Sequence, residues 1–596
     1  MSFSPPVIIK LPIWRRRTLL IVVLLGFCVL LGRGIYLQGI HKEFLQKKGE
    51  ARYSRELKLP ANRGIITDRN GELLAISTPV ESIWASPPDV VASPNQLNAL
   101  AKLLQIEPAV VVKKLTKKNH EFVYVKRRIP PELAAQVMHL GIPGVFMQRE
   151  YRRYYPAGEM AAHVVGFTGV DDKGQEGIEL VFQNWLAGKA GERHVIKDRQ
   201  GHIVEDLVAV NVPQDGKDVT LSMDRNIQYL AYRELALAVT QFKAKAGAAV
   251  MLDAKTGEVL AMVNLPTYNP NNPVNINVNG RSRNRTIVDT FEPGSTLKPI
   301  TAAAALESGN FKPDTLIQTA PGYLRVGTAT IHDTHPQGLI TVAQVIQKSS
   351  NVGASKMALT LDRQFFWGVF NQLGLGTPTH IGFPGEASGR LRPYKIWRPI
   401  EQATMSFGHG ISLTLLQLAR AYTVFANDGE LRPLSLLKLN EIPLGHQVFS
   451  AETAHQVKDM LEMVVLPGGT ALKAQIMGYR VAGKTGTAHK LDVGGYQKNR
   501  YVSSFVGMAP ASNPRLILAV MIDEPSSGEY YGGTVAAPVF SKVMEGALRM
   551  LAIPQDAPND NVVIPAQGAP EGEPEEAPEV KDAPAGKSVK EVQEST

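Results

Sequence analysis

Residues 18–32 read TLLIVVLLGFCVLLG, and the apolar character continues through Ile35, Tyr36, Leu37 and Ile40 with Arg33 as its only charge. A stretch that long matches the about 20 residues needed to cross a bilayer. Arg33 falls near the outer end, where its long side chain can reach the interface. Two other readings compete. A cleaved signal peptide needs a small-x-small site after the apolar run, and no convincing one follows; a buried core helix is rarely flanked by a cluster such as Arg15, Arg16 and Arg17. Trp14 and those arginines place residues 1–17 in the cytoplasm, against the opposing weight of Lys42, Lys47 and Lys48. The expectation is a transmembrane helix over 18–40, with everything beyond it outside the inner membrane.

At 596 residues the chain exceeds one ordinary core, so at least two domains are expected. Its net charge of +9 invites a nucleic-acid reading, but the basic residues are scattered and form only one tight run, at 15–17. Such a balance also suits anionic lipid or an anionic polymer. Cys28, the single cysteine, sits inside the apolar run, so neither a disulfide framework nor a cysteine metal site can form within one chain. No metal and no cofactor is expected.

Residues 41–230 alternate short strand-like pieces with Gly/Pro turns. Asp68-Arg69-Asn70-Gly71 is a hairpin turn between apolar segments. The stretches 151–158 (YRRYYPAG) and 174–179 (GQEGIE) are dense in Arg, Tyr and Glu. Without a nucleophile and neighbouring base they read as buried Arg–Glu pairs that lock the module. From 231 to 554 the pattern becomes an antiparallel sheet flanked by helices. Strands are predicted at 248–253 and 258–264, joined by Lys255-Thr256-Gly257, and at 479–487, 501–508 and 516–522, with a closing helix over 537–551. Strands from both ends with helices between them predict an α+β domain. Residues 555–596 are rich in Pro, Glu and Ala, lack aromatics, and are expected to be a disordered tail.

Three short motifs carry chemistry: Ser295-Thr296-Leu297-Lys298, Ser349-Ser350-Asn351 and Lys484-Thr485-Gly486-Thr487. Each has decoys. Ser435-Leu436-Leu437-Lys438 repeats S-x-x-K; Ser93-Pro94-Asn95, Ser282-Arg283-Asn284 and Ser308-Gly309-Asn310 repeat S-x-N; Lys255-Thr256-Gly257 repeats K-T-G. Order and context select among them: Ser435 has no S-x-N before Lys484, Ser308 follows Ser295 too closely, and Lys255 occupies a turn.

The selected set forms a physical unit. A helix is predicted to start near Ser295 and run through Pro299, a residue tolerated in a first turn. Lys298, three residues on, shares the face of Ser295 and can reach its hydroxyl. To act as a base its amine must be neutral, which burial and a second cation, Lys484, would favour. Ser349 can relay a proton, and Asn351 can bond a peptide backbone. Thr485 and Thr487 offer hydroxyls to a carboxylate, Gly486 permits close approach, and the backbone N–H groups of Ser295 and Thr487 would form an oxyanion hole.

These motifs, in this order, are those of penicillin-binding proteins and serine β-lactamases. The chain to about residue 553 resembles the class B penicillin-binding proteins, and among them the division-specific peptidoglycan D,D-transpeptidases. The resemblance also covers residues 63–71 (RGIITDRNG), 174–179 (GQEGIE) and 284–294 (NRTIVDTFEPG), the last leading into the serine as in division enzymes. Tyr530-Tyr531-Gly532-Gly533 is similar to the family's aromatic segment beside the active site. The likeness implies a penicillin-recognising serine transferase domain on an elongated pedestal. It implies a D-alanyl-D-alanine donor attached to Ser295, resolution by an amine of a neighbouring stem peptide, and acylation by β-lactams. Septal partners are implied too: the glycan polymerase FtsW, FtsN and the FtsQ-FtsL-FtsB complex. Ser350 stands where many β-lactamases carry Asp.

Two alternatives stay open at this level. A D,D-carboxypeptidase or β-lactamase would use the same residues but must admit water, and spacing nominates no Glu to activate it. In a membrane receptor or scaffold, Ser295 would be acylated only to signal or the fold would serve only to recruit partners, although signalling inward usually takes more than the one span visible here.

Overall fold

The computed structural model describes residues 12–43, 54–116, 120, 122–197, 203–272, 276, 278–492 and 495–563. Near the N-terminus a helix runs Ile13–Ile35 and continues as one wider turn, Tyr36–Ile40. Its Leu, Val, Ile and Phe side chains are exposed along its length, and the span Ile13–Gly39 is long and apolar enough to cross a membrane. A core helix of a water-soluble domain would bury that surface. Bare apolar side chains all round instead suit lipid as solvent, so the helix is read as a single-pass anchor.

The chain divides into two compact units and passes between them at residues 62, 78, 151, 187 and 215 rather than once near 230. One unit takes residues 79–151 together with 188–215 and the chain before 63. Its core gathers Ile83, Leu100, Leu104, Val111, Val125 and Val137. Its helices Pro94–Leu104, Pro108–Leu115 and Pro131–Met138 all begin on proline, whose missing N–H is harmless in a first turn. A separate antiparallel sheet joins Ser54–Leu59, Gly191–Lys197 and Ile203–Asn211.

In the other unit, Arg63, Arg153 and Glu179 explain why residues 63–78 and 152–187 join the larger body. Arg63 Nε and Arg153 Nε each donate to a different oxygen of the Glu179 carboxylate, both at 2.6 Å, and all three side chains are buried. Arg63 also donates to the Glu179 carbonyl (2.8 Å) and to Gln183 Oε1 (3.0 Å), and Arg153 to Ser77 Oγ (3.0 Å). The pairing expected from the Arg- and Glu-rich turns is therefore present. The turn at 68–71 is the expected hairpin, with Gly71 at φ 90° between Ile66–Thr67 and Leu73–Ala85.

The centre of this unit is a five-stranded antiparallel sheet in the order Val259–Leu265, Ala246–Asp253, Leu516–Asp523, Gly495–Ala509, Ala482–Asp492. Helices cover both faces, so Ala246–Asp253 and Val259–Leu265 are buried at every residue and read as continuous apolar runs. Arg225–Gln241 and Ala537–Met550 pack together on one side. The helices between residues 285 and 465 cover the other. Among them Lys298–Glu307 is buried from Lys298 to Leu306, and its row Ala302, Ala303, Ala304 and Ala305 lets its neighbours close in. The fold is α+β, as expected.

The tail begins differently from expectation. Residues 555–563, assigned to a disordered segment, are bonded to the loop 475–480: Asp556 accepts from Arg480 N (2.7 Å), and Asn561 accepts from Gly478 N (2.9 Å). Composition misled because a few Asp and Asn side chains can satisfy a backbone loop without any apolar burial. Residues 564–596 lie outside the described residues.

Candidate active site

Ser295 lies in a tight turn, Gly294–Leu297, that runs directly into the helix Lys298–Glu307, so the α-helix begins three residues later than Ser295 itself. Gly294 adopts φ 57°, a conformation favouring glycine. Gly408 is pressed against it so closely that a Cβ there would stand 2.3 Å from Gly294 O. Tyr422 Oη donates to Thr296 O (2.7 Å) and Thr296 Oγ1 to Pro293 O (2.8 Å), which pins the turn from behind.

Lys298 and Lys484 are both fully buried, and both amines converge on Ser349. Lys298 Nζ lies 3.0 Å from Ser349 Oγ and also donates to the Ser349 carbonyl. Lys484 Nζ lies 2.9 Å from the same Oγ and 3.4 Å from both Thr485 O and Thr485 Oγ1. Ser349 adopts φ 61°, a left-handed conformation that costs a non-glycine residue about 1–2 kcal/mol. That conformation lets its carbonyl and its hydroxyl face one lysine.

Ser350 is the cap of the helix Asn351–Thr360. Its Oγ accepts from Gly353 N (2.9 Å) and donates to Asp333 Oδ2 (2.6 Å), while Asp333 Oδ1 accepts from Val352 N (2.9 Å). Burial pushes the Asp333 carboxyl above its ordinary range, opposed by those same bonds. Asn351 Nδ2 donates to His332 O (3.0 Å). The middle position of the motif thus holds the helix in place, and its partner Asp333 carried no signal in the sequence.

Lys484, Thr485, Gly486 and Thr487 lie on the edge strand Ala482–Asp492, paired with Val506, Phe505, Ser504 and Ser503. Each threonine hydroxyl has a partner from outside the strand: Thr485 Oγ1 lies 2.8 Å from Thr470 Oγ1, and Thr487 Oγ1 accepts from Gly532 N at 3.1 Å. Packing alone requires glycine at 486. A Cβ there would lie 2.8 Å from Thr296 Cγ2 and 2.9 Å from Pro293 O, so glycine lets the strand close on the serine turn.

Tyr530 and Tyr531 touch through their hydroxyls (2.7 Å), and Tyr530 stacks on Tyr501 at 4.0 Å, which in turn meets His489 at 4.7 Å. These rings form a row beginning on the edge strand just beyond Thr487. His409, four residues after Met405, is also drawn in. Burial, with the charges of His489 and Lys298 adding to it, pushes its pKa down to about 4. Its Nδ1 stands 3.9 Å from Glu292 Oε2, and Glu292 Oε1 accepts from Gly410 N at 2.9 Å. Neither histidine belongs to a short motif, so spacing alone offered no way to find them.

The decoys have structural roles elsewhere. Ser93 caps Pro94–Leu104, Lys438 Nζ donates to Arg69 O, and Lys255 Nζ to Ala426 O from the turn at 255–257. Among the described residues no cluster of three or more His, Cys, Asp and Glu could hold a metal ion.

Comparison with known proteins adds the following. Residues 247–545 match the penicillin binding protein transpeptidase domain, and residues 58–221 the penicillin-binding protein dimerisation domain. The chain is 45% identical over 536 residues to a probable peptidoglycan D,D-transpeptidase PenA of Neisseria gonorrhoeae, covering 89% of this chain and 92% of that one. It is 42% identical over 550 residues to the peptidoglycan D,D-transpeptidase FtsI of Escherichia coli K12, covering 91% and 93%. Among solved structures, the apo transpeptidase domain of penicillin-binding protein 3 from Burkholderia pseudomallei superposes with a TM-score of 0.53 at 48% identity, covering 57% of this chain and 98% of that one.

Proposed function

The chain belongs to the class B penicillin-binding proteins and is a peptidoglycan D,D-transpeptidase, and on that premise we propose that its chemistry runs on Ser295 with Lys298, Ser349 and Lys484 as the proton-handling groups. Ser295 Oγ attacks the carbonyl carbon of the penultimate D-alanine of a stem peptide while Lys298 Nζ takes its proton. The backbone N–H groups of Ser295 and Thr487 hold the oxyanion, each worth about 2.7–4 kcal/mol in comparable acyl transfer. The carbon–nitrogen bond then breaks, the leaving nitrogen receives a proton through Ser349 and Lys484, and D-alanine departs. An amine of a neighbouring stem peptide attacks the ester, forms the cross-link and frees Ser295. Thr485 and Thr487 take the donor's terminal carboxylate, Asn351 bonds its backbone, Gly486 keeps the strand close, and Tyr530 and Tyr531 flank the peptide.

The observation that carries this reading is the bridge at Ser349: one hydroxyl within 3.0 Å of two buried amines. A hydroxyl has a single proton to give, and an ammonium can only donate. With one proton to give and two lone pairs to accept on, Ser349 Oγ can pass a proton between the amines once one of them is neutral, which is the state a lysine base requires. β-Lactams, as donor mimics, acylate the same serine. Mass spectrometry with penicillin should show one adduct that disappears in Ser295→Ala; an adduct surviving that change defeats the assignment.

The same reading places the enzyme in the inner membrane with its N-terminus in the cytoplasm and its catalytic unit in the periplasm, working at the division septum. The exposed apolar helix and the likeness to FtsI support it. Association with FtsW, FtsN and FtsQ-FtsL-FtsB belongs to this proposal and rests on the resemblance to division enzymes. Complementation of a division-defective strain by the wild type and not by Ser295→Ala is the expected result; rescue by Ser295→Ala would make the chain a scaffold.

A further inference from the structure

The edge strand Ala482–Asp492 carries Lys484, Thr485 and Thr487, yet it is paired along one side only. Strand ends at a sheet edge are where local opening is cheapest. Lys484 is the third residue of that strand, so its position depends on how the chain enters it.

The loop leading in, residues 475–480, is held by the segment that follows the last helix. Asn561 uses its whole amide: Oδ1 accepts from Gly478 N (2.9 Å), and Nδ2 donates to Ile476 O (3.1 Å) and Tyr479 O (2.9 Å). Asp556 spends both carboxylate oxygens on backbone N–H groups, Oδ1 on Arg480 (2.7 Å) and Oδ2 on Ser512 (3.1 Å). Ser512 sits in the turn between the next two strands, so one carboxylate ties the start of the edge strand to its neighbours. Val563 N donates to Gln475 Oε1 (2.8 Å), and Tyr479 Oη to Ile553 O (2.7 Å). Gly478 has φ 79°, and a Cβ there would lie 2.5 Å from Gln555 Nε2, so the loop is shaped to receive the strap. Few apolar side chains are involved. The segment binds by satisfying a backbone loop, which fixes position more than it adds core.

We propose that residues 553–563 are a positioning strap, with Asp556 and Asn561 holding the start of the edge strand so that the Lys484 amine stays on Ser349 Oγ. This rests on the reading of Lys484 as part of the proton-handling set. Neither residue touches substrate; both act through the backbone of 476–480. A displacement well under an ångström at Lys484 is enough to slow acylation, because proton transfer requires aligned partners.

The test uses full-length protein in detergent and a labelled penicillin, resolving half-saturating concentration from the limiting acylation rate. A chain ending at Val563 should match wild type. A chain ending at Pro554, and the milder Asn561→Ala and Asp556→Ala, should lose about tenfold in limiting rate with less than a twofold change in half-saturation. Asn561→Asp, which keeps only the acceptor, should fall between. Rates are taken per folded molecule, with the folded fraction measured by thermal melting. Wild-type limiting rates in all strap variants, or losses fully accounted for by unfolding, overturn the strap. If Lys484→Ala also acylates at the wild-type rate, the reading beneath it fails instead; if Lys484→Ala is slow and the strap variants are not, the strap alone fails.

Discussion

Two buried clusters in the larger unit each hold two cationic side chains, and they are balanced in opposite ways. Around Glu179 two guanidinium groups share one carboxylate at 2.6 Å, with further backbone and side-chain acceptors. Around Ser349 two lysine amines share a neutral hydroxyl at 2.9–3.0 Å. The first sets one carboxylate between two guanidinium groups, and what it supplies is rigidity. The second has a neutral hydroxyl rather than a carboxylate at its centre, and on the proposed reading that hydroxyl passes a proton between the two amines.

The sharpest way to break this contrast is to remove a lysine. Lys298→Met should lower penicillin acylation by about a thousandfold, the range of a lost general base. Its melting temperature should change little, because the buried lysine is replaced by an apolar chain of similar length. A large thermal loss with intact acylation would put Lys298 in the structural class instead.

Glu179→Gln should do the reverse. It leaves two buried guanidinium groups short of their anion, at a cost of about 3–5 kcal/mol in denaturant unfolding, while acylation per folded molecule stays near wild type.

A smaller effect depends on pH through two histidines outside both clusters. His409 beside the site and His163 in the larger unit are both held down to about 4 against an ordinary 6.5, chiefly by burial. Between those values the unfolded chain binds the protons that the folded chain refuses, so stability falls as pH drops from 6.5 towards 4. Each histidine contributes on the order of 3 kcal/mol to that loss. Denaturation midpoints across the window should show it, and His409→Gln should flatten its share; a flat profile in the wild type contradicts the burial argument.

The smallest change expected is at Ser350. Ser350→Ala removes a helix cap worth about 1 kcal/mol and takes one hydrogen bond from Asp333, which keeps Val352 N. Acylation should fall only severalfold, measured as above, since Ser349 itself is untouched.

Much of this was legible before the fold. Apolar runs and turn chemistry located the hairpins at 68–71 and 255–257 and all five strands of the central sheet, because those depend on neighbours a few residues away. The edge strand begins at Ala482 rather than 479, since Tyr479 and Arg480 are claimed by Ile553 and Asp556. The strap escaped composition, which registers missing hydrophobics and not well-aimed amides. Asp333, Thr470 and His409 escaped motif reading because each meets its partner from a separate element of the chain.

Local chemistry written in the sequence decided that an apolar span, a serine one turn ahead of a lysine, and a threonine-bearing strand would exist. Only packing decided that the hydroxyl of Ser349 would stand between amines 51 and 135 residues away. Propensities act over a few residues at a time; a site assembled across the sheet and the buried helix depends on how their side chains exclude one another, and no short stretch encodes that.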